Sequence, residues 1–322
     1  MLPPDPMLLQ AFGLLNAGQE QEALALFQQL ADRQDPGALA TLAELNWQGG
    51  LLPQNFAAGR AFYQRAGEAG HVGSAIYATN LLAHGYVGER NWGEAMARLR
   101  HEAGHDPARA EIAALLAALP LTKQGDPATL PRGDRVSESP DTLLFKDAFS
   151  QAECDYLIRI AEPDFQRARV LEQHSGTERI DPIRTADEAH IHWLNENPLI
   201  HAFNRRLAAL SGTQADQGEP LQILRYRPGQ HYLNHLDYIN GAANQRVKTA
   251  LIYLNEAYLG GETNFPRLGK KVRGWTGTVL VFRNALPDGR ADQMSEHAGL
   301  PVGEGTKYLA SRWIRERTFV TP

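Results

Sequence analysis

Gly229-Gln-His-Tyr-Leu-Asn-His-Leu-Asp-Tyr238 (GQHYLNHLDY) puts two histidines, an aspartate and two tyrosines into ten residues. It follows Arg227-Pro228, so a Pro-Gly turn opens it. In an extended segment, side chains at i and i+2 point the same way. His235 and Asp237 would then share one face. An imidazole and a carboxylate side by side are two parts of a metal site. The question is whether a third ligand lies elsewhere in the chain.

The surrounding sequence reads as short strands divided by turns. The strands are 221–226, 248–254, 278–282 and 307–314, with turns at Arg227-Pro-Gly, Leu259-Gly-Gly-Glu, Gly274 to Gly277 and Val302-Gly-Glu-Gly. Helices are expected before them. Residues 147–161 carry Ser150 as N-cap and Glu153 three residues on, a capping-box pattern. Residues 198–211 open on Pro198. Helices first and short strands after predict a β-sandwich or barrel backed by helices.

The best third ligand is His297, on another strand of that barrel. Two neutral imidazoles and one carboxylate with open positions opposite form the facial triad of non-haem Fe(II) oxygenases. Lys307 lies ten residues after His297 on the next expected strand. A buried lysine is costly in an apolar strand unless it neutralises an anion, such as the far carboxylate of 2-oxoglutarate. Tyr226, Thr249 and Tyr253 could add hydroxyl donors from facing strands. His231 is expected at the rim, not among the ligands.

RYRPGQHYLNHLDY, RVKTALIYLNEAYLGGETNFP and GTVLVFRNALPDGRADQMSEHAGLPVGEGTKYLASRWI together resemble the catalytic domain of the prolyl 4-hydroxylase family of Fe(II)/2-oxoglutarate dioxygenases. The resemblance runs from about 141 to 317 and is densest from 221. It implies a double-stranded β-helix (jelly roll) with supporting helices. It also implies Fe(II), 2-oxoglutarate, O₂ and ascorbate as cofactors and cosubstrates. In that reading His235, Asp237 and His297 hold iron and are catalytic. Lys307 binds the 2-oxoglutarate C5 carboxylate, with Tyr226, Thr249 or Tyr253 assisting. Trp313 matches a tryptophan lining the family's active site, and Tyr232 a tyrosine near the bound proline. Ile183-Arg-Thr-Ala matches an Arg-Thr-Ser segment whose arginine, here Arg184, faces substrate; Ala186 stands where the family has serine. Trp275 departs from a segment that is often Lys/Pro-rich.

The first third of the chain differs in texture. Apolar residues recur at helical spacing, as in Ala23, Leu24, Leu26, Phe27 and Leu30, or Ala61, Phe62, Arg65, Ala66 and Ala69. RAFYQRAGEAGH (60–71) aligns with EAMARLRHEAGH (94–105), and Gly37-Ala-Leu-Ala with Gly73-Ser-Ala-Ile. Repeats of this period indicate an α-solenoid. They resemble Sel1-like repeats, relatives of the tetratricopeptide repeat. The expected class is therefore α+β. It comprises a helical repeat domain (1–120), a proline-rich linker (121–140) and a dioxygenase domain (141–322). His71, His84, His101 and His105 are expected to be solvated or capping. The polar stretch 171–197, with His174, His190 and His192, is long enough to form a lid.

The net charge of −5 argues against nucleic-acid partners, whose affinity comes from Lys and Arg on phosphates. No stretch reads as a signal peptide or membrane span. Cys154 is the single cysteine, so no intrachain disulfide forms and a reducing, cytoplasmic setting is expected. The expected activity is hydroxylation of a prolyl residue in a protein or peptide, coupled to conversion of 2-oxoglutarate to succinate and CO₂. The helical repeats would recruit the substrate. Two alternatives stand beside it. One keeps the chemistry on a free amino acid, small metabolite or other peptidyl residue. The other is a catalytically silent sensor that binds a partner through the repeats. A nucleic-acid demethylase fits less well, because Lys307 stands where such relatives carry arginine.

Overall fold

The structure is a computed structural model that describes residues 5–171, 178–180 and 183–319. It divides into two compact units. One comprises 1–118 with 193–201, and the other 119–192 with 202–322.

The first unit holds α1 (Pro6–Asn16), α2 (Glu20–Asp32), α3 (Pro36–Gln48), α4 (Phe56–Glu68), α5 (Val72–His84), α6 (Trp92–Ala103) and α7 (Pro107–Ala117). Local chemistry sets where they begin. Asp5, Asp35 and Asp106 each cap a helix whose next residue is proline. Asn55 and Asn91 cap α4 and α6. Such caps contribute about 1 kcal/mol each by satisfying amide groups that the first turn leaves without partners. The starts of α2, α4 and α6, at Glu20, Phe56 and Trp92, are evenly spaced in the sequence. That even spacing is compatible with helix-pair repeats. Leu8, Ala11, Ala23, Phe27, Leu30, Leu39 and Leu42 form a shared core, and small Ala positions let neighbouring helices approach. On α4 Gly59, Tyr63 and Ala66 are buried and Phe62 packs half-buried against the core as the periodicity suggests, whereas Ala61 is exposed. Tyr63 is drawn inside because its hydroxyl meets Glu44 at 2.6 Å.

The second unit is built on eight strands. They are β1 (Gln222–Tyr226), β2 (Tyr232–His235), β3 (Arg246–Tyr253), β4 (Thr263–Phe265), β5 (Lys270–Val272), β6 (Val279–Arg283), β7 (His297–Gly299) and β8 (Lys307–Arg315). They divide between two sheets, β6-β3-β8-β1 in the large and β5-β4-β7-β2 in the small. Each neighbouring pair is antiparallel. The pairs one–eight, two–seven, three–six and four–five define a double-stranded β-helix, a jelly roll. Tyr226, Leu251, Tyr253, Phe265, Leu280, Phe282 and Leu309 fill the space between the sheets. Each large apolar side chain buried there contributes roughly 1.5–3 kcal/mol.

Two segments depart from expectation. Residues 121–140, read as a linker, contain the strand Gly133–Glu138, which pairs with Asp141–Phe145 and extends the large sheet beyond β6. It is a partly exposed edge strand, so it lacks the apolar alternation by which strands are recognised. Of the stretch 171–197, residues 172–177 and 181–182, with His174, lie outside the described residues. Asp187–His190 is a strand of the large sheet and Trp193–Asn195 a 3₁₀ turn in the helical unit, so neither is a lid. The supporting helices are α8 (Gln151–Ala161), with the Ser150/Glu153 capping box formed, and α9 (Pro198–Ser211). Among the described residues no helix is long and apolar enough to cross a membrane.

Candidate functional site

Strand alternation places the site. On β8, Lys307, Leu309, Ser311 and Trp313 are two apart, and all four line one cavity between the sheets. Lys307 pairs with Tyr226 on β1, and Trp313 with Thr249 on β3. Across the small sheet His297 pairs with His235. The cavity, with its mouth, encloses about 420 Å³. His235, Asp237, His297 and Lys307 all line it, the two histidines from the small sheet and the lysine from the large one.

The three expected ligands come together. One nitrogen or oxygen from each lies within 4.8 Å of the others. His235 Nε2 is 3.6 Å from Asp237 Oδ1, and His297 Nε2 is 3.7 Å from Asp237 Oδ2. Each imidazole is oriented by its other nitrogen. His235 Nδ1 lies 2.8 Å from the Leu233 carbonyl and His297 Nδ1 2.9 Å from the Ser295 carbonyl. A carbonyl only accepts, so Nδ1 carries the proton and Nε2 keeps its lone pair. Asp237 and His297 are each only 5% exposed, which is costly for ionisable groups without a partner between them. This donor set fits a divalent iron ion.

The charges agree. Burial would raise the Asp237 carboxyl, but His297, then His235 and the Thr249 hydroxyl, outweigh it and hold the group well below the usual carboxylate range. Burial, then the charge of His235, pushes His297 down to about 4 against the pull of Asp237. At neutral pH the trio therefore presents a carboxylate and a neutral His297 ring, the forms that bind metal.

Thr249 is a correction. Expected beside Lys307, it instead donates to Asp237 Oδ2 at 2.6 Å and accepts from Asn284 Nδ2 at 2.8 Å. Its register on β3, opposite Trp313, carries it to the Asp237 end of the sheet. It orients the carboxylate, and Asn284 holds it in turn.

The Lys307 end follows from a turn only glycine makes easily. Gly260 and Gly261 both have positive φ, 72° and 68°. A Cβ on Gly260 would meet the Pro301 carbonyl at 2.5 Å. The turn brings the Gly261 carbonyl to 2.7 Å from Lys307 Nζ and sets Thr263 on the cavity wall. Lys307 Nζ sits 5.5 Å from the Tyr226 ring and 5.6 Å from the Tyr253 ring. Burial pushes it down to about 8, with Glu262 pulling upward. Tyr226 lines the cavity; Tyr253 lies behind it, its hydroxyl 2.8 Å from that of Thr263. Thr263 and Ser311 are cavity residues that sequence reasoning missed. The signals were available: a polar residue after the Gly-Gly-Glu turn, and the fourth residue after Lys307 on an alternating strand.

The outer wall gathers Tyr232, Arg184 and Trp313. The Tyr232 ring stacks on His235 with centroids 3.6 Å apart, and the Arg184 guanidinium sits 5.4 Å from the Tyr232 ring centre. Gln222 and Glu188 hold Arg184. Trp313 is covered by Arg246 at 3.8 Å, and its Nε1 is buried without a hydrogen-bond partner among the described residues. His231 lies outside this cavity, in a groove continuous with it through Tyr232, Ala298 and Gly299.

Comparison with known proteins gives consistent matches. A family model described as the 2OG-Fe(II) oxygenase superfamily matches residues 221–315. Prolyl 4-hydroxylase 1 of Arabidopsis thaliana is 34% identical over 201 residues, covering 56% of this chain and 71% of the relative. Prolyl 4-hydroxylase subunit alpha-1 of Rattus norvegicus is 30% identical over 192 residues, covering 56% of this chain and 35% of the relative. A solved viral collagen prolyl hydroxylase from Paramecium Bursaria Chlorella virus-1, in complex with 2OG, is 27% identical. It covers 56% of this chain and 98% of its own, with a TM-score of 0.44.

Proposed function

We infer that this chain, which belongs to the prolyl 4-hydroxylase family of 2OG-Fe(II) oxygenases, hydroxylates a prolyl residue in a protein or peptide. The observation that carries this reading is one cavity lined by both the His235–Asp237–His297 trio and a buried lysine. Bound Fe(II) and 2-oxoglutarate supply O₂ activation, with succinate and CO₂ as co-products. The protein's own residues do the rest. His235, Asp237 and His297 would hold the iron. Lys307 neutralises the far carboxylate of 2-oxoglutarate, with Tyr226 and Thr263 beside it and Tyr253 fixing Thr263. Tyr232, Arg184 and Trp313 flank the position where substrate would lie, and the apolar walls, Leu224, Leu251 and Leu309, limit water.

An open groove supports a peptide over a small metabolite. His231, Tyr232, Leu233, Asn234 and Leu300 to Pro301 line it, and with its mouth it encloses about 890 Å³. Leu233 and Ile183 are large apolar side chains left exposed. We read the seven helices as Sel1-like repeats that recruit the substrate, and the buried single thiol of Cys154 as compatible with a cytoplasmic setting. The test is incubation of the full chain with proline-containing peptides, Fe(II), 2-oxoglutarate and ascorbate, followed by mass spectrometry. Oxygen added to a proline supports the reading. Oxygen added only to other residues, or to free amino acids, contradicts it.

Two further outcomes follow. Thr249→Val keeps the strand's shape and removes the hydroxyl from Asp237. Losing such an orienting bond is expected to weaken iron affinity about 10–100-fold, read by anaerobic Fe(II) titration. Binding of 2-oxoglutarate requires the Lys307 ammonium. Its free-state value of about 8 means that affinity is complete below that pH. Above it affinity falls, by up to about tenfold per pH unit, as the amine loses its proton. Equilibrium titration of 2-oxoglutarate across that range checks the sign, since both carboxylates stay ionised throughout.

A further inference from the structure

We propose that the helical unit carries a second metal site, formed by His84, Glu196 and His201, that takes a divalent transition cation of the zinc class. The three residues meet within one compact unit, although Glu196 and His201 come from a segment far along the chain. One ligand atom from each lies within 4.8 Å of the others. His84 Nε2 stands 3.0 Å from Glu196 Oε2, and the rings of His84 and His201 are 4.8 Å apart. A cation about 2.1 Å from each ligand atom would need only small side-chain shifts.

Burial makes the cluster unusual. Glu196 is 0% exposed and His201 4%. His84 was expected to be solvated or capping, yet its side chain is only 12% exposed and its Nδ1 is buried with no hydrogen-bond partner among the described residues. A carboxylate taken wholly from water costs several kcal/mol unless charge and hydrogen bonds offset it. A divalent cation would add positive charge to the partners the carboxylate already has, and two imidazoles with one carboxylate are donors that zinc accepts.

The backbone around the cluster is fixed in advance. His84 ends α5, where Gly85 turns left-handed. Asn80, one turn earlier, donates to the Leu194 carbonyl at 2.7 Å and ties α5 to the turn before Glu196. Asn197 caps α9 through the Leu199 and Ile200 amides and so orients His201 in the first turn. Tyr86 packs on the His84 ring and Trp92 lies against that of His201, while Trp193 packs on Tyr86. Three protein ligands leave one position for a water. The bound ion would cross-link α5 to residues 193–201, a structural role separate from the oxygenase cavity.

The test counts zinc on the full chain in a metal-buffered solution, chosen so that the exposed two-ligand pair His101 and His105 stays empty. Glu196→Gln keeps the volume and can still bond His84, so it preserves the fold while removing the charged ligand. The expected counts are two zinc ions on the wild type, one on Glu196→Gln, one on Asp237→Ala and none on the double variant. Cobalt(II) in Asp237→Ala should give a four-coordinate visible spectrum that Glu196→Gln abolishes. Zero zinc on folded Asp237→Ala overturns the proposal, as does a count that Glu196→Gln leaves unchanged. If the oxygenase trio itself does not bind metal, the wild type and Asp237→Ala would both hold one ion, which keeps the two readings apart.

Discussion

His297→Ala is expected to abolish iron-dependent succinate formation while leaving the fold intact. The imidazole is one of three ligands, and its Nε2 is aimed at the same space as His235 Nε2 and the Asp237 carboxylate oxygens. Two remaining ligands hold Fe(II) weakly and no longer define which positions stay open. A loss of about 4 kcal/mol of metal-dependent stabilisation corresponds to about a thousandfold in rate. Stability should change little. The substitution removes a buried ring next to Phe265 and Phe282, which costs packing, but it also removes the cost of burying an ionisable imidazole beside His235. Thermal melting of the metal-free proteins checks the fold, and coupled succinate assay checks the activity.

Lys307→Met is expected to weaken 2-oxoglutarate binding about 10²–10³-fold without unfolding the protein. Methionine has nearly the length of lysine and no charge. In the substrate-free protein the change removes a buried cation, and replacing such a group by an apolar one of similar volume is often neutral or stabilising. Its cost is the donor to the Gly261 carbonyl, about 1 kcal/mol. With 2-oxoglutarate bound, a carboxylate would sit beside Tyr226 and Thr263 with no counter-charge, a penalty of about 3–5 kcal/mol. The effect should appear as a raised KM for 2-oxoglutarate, with iron affinity unchanged. Lowered iron affinity in this variant would mean that the lysine serves the metal end instead.

The sequence made four central strands of the large sheet legible and left its outer strands and the small sheet hidden. β1, β3, β6 and β8 are five to nine residues long and largely buried, so they read as apolar runs between turns. β2, β4, β5 and β7 have three or four residues, too few for a period to emerge. Two of them carry His235 and His297, so their composition answers to chemistry instead of packing. The ligands were legible because their spacing and neighbours form a pattern. The partners of those ligands were not. Thr249 looks like any β-branched strand residue, and only its register against Trp313 shows that its hydroxyl faces Asp237 and not Lys307. His84 was misread for a related reason. Its partners, Glu196 and His201, lie far away in sequence, and no local period announces that the chain returns to the helices.

The most direct measurement is succinate formation from 2-oxoglutarate by the anaerobically purified full chain, with Fe(II), ascorbate and O₂, run beside His297→Ala and Lys307→Met. The expected result is turnover by the wild type, stimulated by a proline-containing peptide. His297→Ala should show none at any 2-oxoglutarate concentration, and Lys307→Met should recover turnover when 2-oxoglutarate is raised. Succinate production that survives His297→Ala, or a wild type that binds iron and 2-oxoglutarate yet never turns over with any peptide, would contradict the account.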